Sequence, residues 1–76
     1  MSANPTEGAP YGTKAALREF IAENLAMAQI QADLGATYAD IGDDAGLEYA
    51  LRRLVAYSRA ALGTLYDLRK KAEGQQ

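Results

Sequence analysis

The stretch Gly42-Asp43-Asp44-Ala45-Gly46 separates two long runs of helix-forming residues and decides the fold. Glycine and aspartate suit a tight turn, and aspartate also favours the N-terminus of a helix because its carboxylate accepts free N–H groups there. A connection this short joins helices that lie side by side and run antiparallel. We therefore predict an all-α protein, a two-helix antiparallel hairpin.

Helix one is predicted over about residues 14–41, a run rich in Ala, Leu, Glu, Gln and Met that follows Thr13 as N-cap. Its large apolar residues recur every seven positions, at Phe20, Met27, Leu34 and Ile41. Gly35 interrupts the run, but Leu34 and Tyr38 keep the helical phase across it, so we expect one continuous helix. The apolar stripe is too wide for a single neighbour, which predicts a second contact on helix one.

Helix two is predicted over about residues 45–71. Alternating spacings of four and three predict a heptad seam at Leu47, Leu51, Leu54, Ser58, Ala61, Leu65 and Leu68. Ser58 and Ala61 are the small residues of this seam and predict a notch where another helix approaches closely. The bases at 69–71 suit the negative end of the helix dipole.

The ends of the chain are predicted to lie outside the hairpin domain, which covers residues 13–72. Residues 1–12 contain two prolines and two glycines and are typical of a flexible N-terminal arm. Residues 73–76 are expected to fray.

The small size of the chain predicts self-association. A core formed by 76 residues, without cysteine for disulfides or histidine for a zinc site, is marginal on its own. Residues 1–48 carry eight acids and two bases, a net charge of −6, whereas residues 49–76 carry a net charge of +4. Opposite charges favour antiparallel pairing within or between chains. We predict a homo-oligomeric helical bundle, a dimer or larger.

Several function classes find no support in the sequence. No set of nucleophile, base and orienting residue can be assembled, so we predict that the protein is not an enzyme and needs no cofactor. The aspartates near residue 43 lack the spacing of a calcium loop, and no metal site is predicted. An overall pI of about 4.9 argues against binding to a nucleic-acid duplex.

The compartment predicted is the cytoplasm, or the host cytoplasm if the protein is phage-encoded. No apolar run approaches the length of about 18 residues that a membrane span needs. The N-terminus lacks the pattern of a signal peptide.

Polar residues on the helices are the candidate binding residues. Asn24 and Gln31 lie within the apolar stripe, either as a register device that pairs with a symmetry mate or with Ser58, or as a patch that grips a ligand. Arg52, Arg53 and Arg59 form either a solvated face that pairs with the acids of helix one or a clamp for phosphate or carboxylate.

Two tyrosines are further candidates. Tyr49 lies beside the arginines, a common pairing on binding surfaces. Tyr11 either packs on the first turn of helix one or stacks on a ligand.

Two segments of helix two carry a family resemblance: Ala50-Leu51-Arg52-Arg53-Leu54 and Ser58-Arg59-Ala60-Ala61-Leu62. They resemble the second helix of the hairpin domain in phage cyclic-nucleotide sponges, the anti-CBASS and anti-Thoeris proteins. Those proteins are small, helical, oligomeric and non-enzymatic, and they bind nucleotide between protomers. The resemblance implies that Tyr11, Lys14 and the arginines of helix two stack on bases and contact phosphates.

Three functions are therefore open. The protein is predicted to be a non-enzymatic binding protein of a phage or mobile element that docks on a host protein through its helical surface. The alternatives are an oligomeric sponge for a cyclic dinucleotide and a structural or assembly adaptor.

Overall fold

The structure, a computed structural model, describes residues 12–74. Over that range it contains two helices that pack against each other: α1, Lys14–Ile41, and α2, Asp44–Gly74. The all-α hairpin is confirmed, whereas the homo-oligomeric bundle stays a prediction. Residues 1–11 of the predicted arm and residues 75–76 lie outside the described residues.

The start of α1 and its passage through Gly35 agree with the sequence prediction. The Thr13 hydroxyl accepts a hydrogen bond from the N–H of Ala16 at 3.1 Å and caps the helix. The helix then continues through Gly35 without a break. It stops at Gly42, whose φ of +75° is the left-handed conformation that glycine adopts without a steric penalty.

The turn satisfies the backbone groups at both helix ends. Gly42 donates its N–H to the carbonyl of Ala39 at 3.3 Å. Asp43 donates its N–H to the carbonyl of Tyr38 at 2.9 Å, which completes a Schellman motif. The Asp43 carboxylate accepts the N–H of Gly46 at 2.9 Å, so Asp43 caps α2 as predicted.

The far end of α2 differs from the prediction. The helix continues to Gly74, three residues beyond Lys71. Glu73 and Gly74 are therefore helical rather than part of a frayed tail. Lys71 lies in the last turn, where a cation complements the helix dipole.

The two helices meet along rows of buried and half-buried residues that we call the inner seams. The inner seam of α1 consists of Leu17, Ile21, Asn24, Ala28, Gln31, Gly35 and Tyr38. The inner seam of α2 consists of Leu47, Ala50, Leu54, Tyr57, Ala61, Thr64 and Leu68. Both rows alternate spacings of three and four residues, as expected for helices packed like a coiled coil.

Small residues form the most buried part of the inner seams. Ala50 is 1% exposed, and Ala28, Gly35 and Ala61 are also buried. A Cβ atom built on Gly35 would lie 3.6 Å from the Cβ of Ala50, so the helices approach closely at this level. The sequence places small residues where the backbones come together.

The predicted seam of helix two is partly wrong. Leu47, Leu54, Ala61 and Leu68 do face α1, but Leu51, Ser58 and Leu65 are exposed. Ala50, Tyr57 and Thr64 take those places in the inner seam. Close packing against Gly35 favours the small side chain of Ala50 over the neighbouring leucine, because a bulky residue there would force the helices apart.

Candidate functional site

Five large apolar side chains of α1 lie outside the inner seam. We call them the outer stripe of α1, and they are between 38% and 69% exposed: Phe20, Met27, Ile30, Leu34 and Ile41. Four of them occupy the row one residue before the inner seam. Glu23 and Thr37 occupy the other places of that row, between Phe20 and Met27 and between Leu34 and Ile41. Single exposed apolar residues are ordinary, but five on one face of a helix are typical of a protein–protein interface.

A second exposed apolar row runs along α2. This outer stripe of α2 consists of Leu51, Val55, Leu62 and Leu65, which are between 37% and 48% exposed. Ser58 lies at its middle and is also exposed. Leu51, Ser58 and Leu65 each follow an inner-seam residue by one position, the reverse of the arrangement in α1.

The two outer stripes lie on opposite sides of the hairpin. In antiparallel helices of the same hand, the residues that precede the inner seam on both helices share one side, and those that follow it share the other. A groove of about 440 Å³ shows this pairing, since Phe20 and Asp67, which both precede inner-seam residues, line it together. The outer stripe of α1 precedes its seam and that of α2 follows it, so they face away from each other.

Carboxylates border the outer stripe of α1. They are Glu19, Glu23, Asp33 and Asp40. The two bases of α1, Lys14 and Arg18, lie on the inner-seam row and on the row beyond it, away from the stripe. The groove at the open end of the hairpin shares this acidic character, and its lining is Gly12, Ala16, Leu17, Glu19, Phe20, Glu23, Thr64 and Asp67.

Arg53 is held between two tyrosines on the same side as the outer stripe of α1. Its guanidinium lies 5.5 Å from the ring centre of Tyr49 and 5.4 Å from that of Tyr57. It also donates to the Tyr57 hydroxyl at 2.6 Å. Arg53 forms no ion pair with any of residues 12–74. Cation–π contacts on both sides hold the charge in place and leave it available to an anionic group.

Arg52 and Arg59 lie beside the outer stripe of α2. Arg52 forms an ion pair with Glu48 at 2.6 Å, four residues earlier on the same helix. A shallow depression of about 350 Å³ is lined by Leu51, Arg52, Val55, Ala56 and Arg59. The predicted arginine clamp is therefore divided, because Arg53 faces one side of the hairpin and Arg52 and Arg59 border the other stripe.

The predicted amide cluster is only partly assembled. Asn24 and Gln31 both lie in the inner seam, and Gln31 is 8% exposed. The Asn24 amide donates to the carbonyl of Phe20 in its own helix at 2.9 Å. The pairing of these amides with Ser58 within the chain is wrong, because Ser58 is exposed on the far side of α2. Pairing with a symmetry mate stays a prediction.

Lys14 and the arginines do not form one site within a single chain. Gly35 of α1 and Ala50 of α2 face each other and mark one level of the hairpin. Towards the open end, Lys14 lies 21 residues from Gly35, whereas Arg53 lies only three residues from Ala50. The difference corresponds to about 27 Å along the hairpin at the usual helical rise. Tyr11 lies outside the described residues.

The described residues contain no cluster of metal-binding side chains. Within residues 12–74, no three His, Cys, Asp or Glu side chains come together as they would around a metal ion. Neither α1 nor α2 has an apolar stretch long enough to cross a membrane.

Sequence reasoning missed the outer stripe of α2 as a separate face. Its end charges, Glu48 and Arg69, gave no distinguishing signal, because the inner-seam row of α2 is also flanked by charges, at Asp43 and Lys71.

Comparison with protein-family models, curated proteins and solved structures finds no match to this chain. The resemblance of α2 to cyclic-nucleotide sponges therefore stays a prediction.

Proposed function

We propose that this chain is a non-enzymatic binding protein that docks on another protein through one side of the hairpin. That side, the α1 face, consists of the outer stripe of α1 together with Tyr49 and Arg53. The supporting observation is that five bulky apolar side chains of α1 lie outside the inner seam and stay between 38% and 69% exposed.

The apolar content of the α1 face supports binding to a protein surface. Full burial of a Leu, Ile, Met or Phe side chain contributes about 1.5–3 kcal/mol. Five such side chains on one row therefore hold several kcal/mol of unused apolar stabilisation. A partner helix that covers the row buries all of them in one contact.

The charges around the α1 face describe the partner. Glu19, Glu23 and Asp33 favour basic residues along one edge of the docked surface. Arg53 favours an acidic residue near the other edge, because its guanidinium has no carboxylate among residues 12–74. The best fit is an amphipathic helix with a basic flank and one acidic residue opposite Arg53.

The test compares two leucines on α1 that point to different sides. The partner is first captured with the unmodified chain, and its affinity for purified variants is then measured by calorimetry. We expect Leu34→Ala to weaken binding about tenfold, since truncation of an interface anchor costs more than about 1 kcal/mol. Leu25→Ala, which removes a leucine outside the outer stripe, is the matched control and should bind like the unmodified chain. Equal affinity of Leu34→Ala and the unmodified chain would show that the α1 face is not the docking site.

The acidic rim gives a second readout with the same partner. Glu23→Lys should weaken binding, and added salt should weaken binding of the unmodified chain more than that of the variant. Tighter binding of Glu23→Lys would mean that the partner is acidic and that the assigned chemistry is wrong.

A cyclic dinucleotide is the alternative ligand that the resemblance implies, and Arg53 is the observation that favours it. Arg53 is a fixed cation with both tyrosine rings beside it, which suits phosphate and base together. A ligand that binds only the folded state raises the melting temperature. A rise with cyclic dinucleotide that Arg53→Ala abolishes would support the sponge in place of protein docking.

A further inference from the structure

We infer that the outer stripe of α2 binds a second copy of this chain, with the two α2 helices antiparallel about a twofold axis near Ser58. This inference does not rest on the α1 face, because the two stripes lie on opposite sides of the hairpin. It assigns a partner to the apolar surface that the hairpin leaves uncovered on its other side.

The outer stripe of α2 has the symmetry that a self-pairing surface needs. Ser58 lies at its centre, with two apolar residues before it and two after it at nearly equal distances. A twofold axis at Ser58 brings Leu51 of one copy towards Leu65 of the other, and Val55 towards Leu62. The same residues of both copies thus cover each other, which defines an isologous contact.

The charges at the ends of the stripe select the antiparallel direction. Glu48 lies before the apolar residues and Arg69 lies after them. Antiparallel pairing puts Glu48 of each copy beside Arg69 of the other, twice in the dimer, in addition to the ion pair that Glu48 forms with Arg52 of its own helix. Parallel pairing would place like charges together. The helix dipoles act in the same direction, because each positive N-terminus lies near the negative C-terminus of the other copy.

The α1 face is a poorer surface for self-association. Glu19, Glu23, Asp33 and Asp40 border the outer stripe of α1, and no base of that helix lies among them. Two copies paired along this stripe would bring carboxylates together, which disfavours the contact. The end charges Glu48 and Arg69 favour pairing of the outer stripe of α2 with a second copy, against the repulsion between the two Arg59 side chains that border the stripe near the axis. The carboxylates beside the outer stripe of α1 disfavour such pairing.

The first experiment exchanges the end charges. The dissociation constant of the dimer is measured by sedimentation equilibrium for Glu48→Arg, Arg69→Glu and the double variant. Each single variant creates two like-charge contacts and should raise the dissociation constant about tenfold. The double variant restores opposite charges and should bring it back close to the original value. A monomeric unmodified chain, or a double variant as weak as the single ones, would overturn the proposal.

The second experiment tests direction by disulfide cross-linking, since the chain has no cysteine of its own. Ser58→Cys places the two thiols near the axis and should form a dimer on oxidation. Ala72→Cys should not, because antiparallel helices hold these residues about 42 Å apart, far beyond disulfide reach. Thr37→Cys, an exposed position that precedes the inner-seam residue Tyr38 and so lies on the opposite side of the hairpin, reports random collisions.

The outcomes separate direction from association. Efficient cross-linking of both Ser58→Cys and Ala72→Cys would show a parallel dimer and overturn the assigned geometry. Cross-linking of Ser58→Cys no faster than Thr37→Cys would overturn self-association through α2. Circular dichroism of each variant shows that the helices are intact. A parallel dimer or a monomer would leave binding of a partner through the α1 face, which contains Leu34, unchanged. The two proposals therefore fail independently.

Discussion

The most buried positions of the inner seams carry mostly small side chains, whereas the exposed outer stripes carry bulky apolar ones. In most proteins the bulky apolar side chains are the buried ones. The most buried positions between α1 and α2 include Ala28, Gly35, Ala50 and Ala61. Many bulky apolar side chains lie on the outside, where Phe20 is 47% and Ile41 is 69% exposed. Small residues allow close backbone contact but bury little apolar surface, so the hairpin alone leaves part of its hydrophobic stabilisation unused. The contrast indicates a chain shaped for contacts beyond its own two helices.

The strongest test of this contrast enlarges a small residue in the inner seam. Ala50→Leu should destabilise the hairpin by about 3 kcal/mol, because Ala50 is 1% exposed and the space between it and Gly35 takes one added carbon at ordinary contact distance, fewer than a leucine adds. Ala56→Leu adds the same atoms at an exposed position of the same helix and should change the free energy of unfolding by less than about 0.5 kcal/mol. Urea unfolding followed by circular dichroism measures both. Equal stabilities of the two variants would mean that Ala50 is not packed as described.

A smaller effect is expected when a leucine is truncated on each side of the contrast. Leu68, in the inner seam, is 8% exposed, whereas Leu34, in the outer stripe of α1, is 40% exposed. Leu68→Ala should lower the free energy of unfolding by about 2–3 kcal/mol, and Leu34→Ala by less than about 1 kcal/mol. The same unfolding experiment compares them in the absence of a partner. A larger loss for Leu34→Ala would place that residue in the core of the isolated protein.

The smallest predicted effect is a gain in stability. Gly63 is exposed in the middle of α2 with no atom near its missing Cβ, so Gly63→Ala should stabilise the helix by about 1 kcal/mol. Gly35→Ala should gain a similar amount, because its Cβ would meet Ala50 at 3.6 Å and Leu47 at 3.8 Å, both ordinary contact distances. Gly46→Ala is the control that should lose stability, because a Cβ there would lie 2.9 Å from the Tyr38 ring. Thermal unfolding should rank the three variants, and a loss of stability in Gly35→Ala would show a tighter seam than described.

The helices and the turn were predictable because local signals specify them. Thr13 and Asp43 are capping residues, Gly42 adopts the left-handed conformation, and the apolar phase continues across Gly35. Each of these signals acts over a few residues, so a single sequence is enough to interpret them.

The contact row of α2 was harder to predict, and the reason is geometric. Rows one residue apart on a helix have the same heptad period, so periodicity alone does not distinguish the row of Ala50 from that of Leu51. Hydrophobicity favours the leucine, but the contact with Gly35 depends on size and favours the alanine. The candidate faces follow from this choice of row, and that is why Leu51 and Leu65 became visible as an outer stripe only in the structure.

The placement of the two outer stripes on opposite sides has a consequence for binding strength. A pair of hairpins joined along α2 would turn its two α1 faces outward, so the pair would be divalent. When a divalent protein meets a partner that is itself repeated or dimeric, the second contact forms within the complex at an effective concentration in the range of about millimolar for short tethers. Avidity could then exceed the affinity of a single α1 face by about 10²–10⁴, provided that the spacing of the partner's sites matches that of the pair. A hairpin with both stripes on one side would be monovalent and would gain none of this.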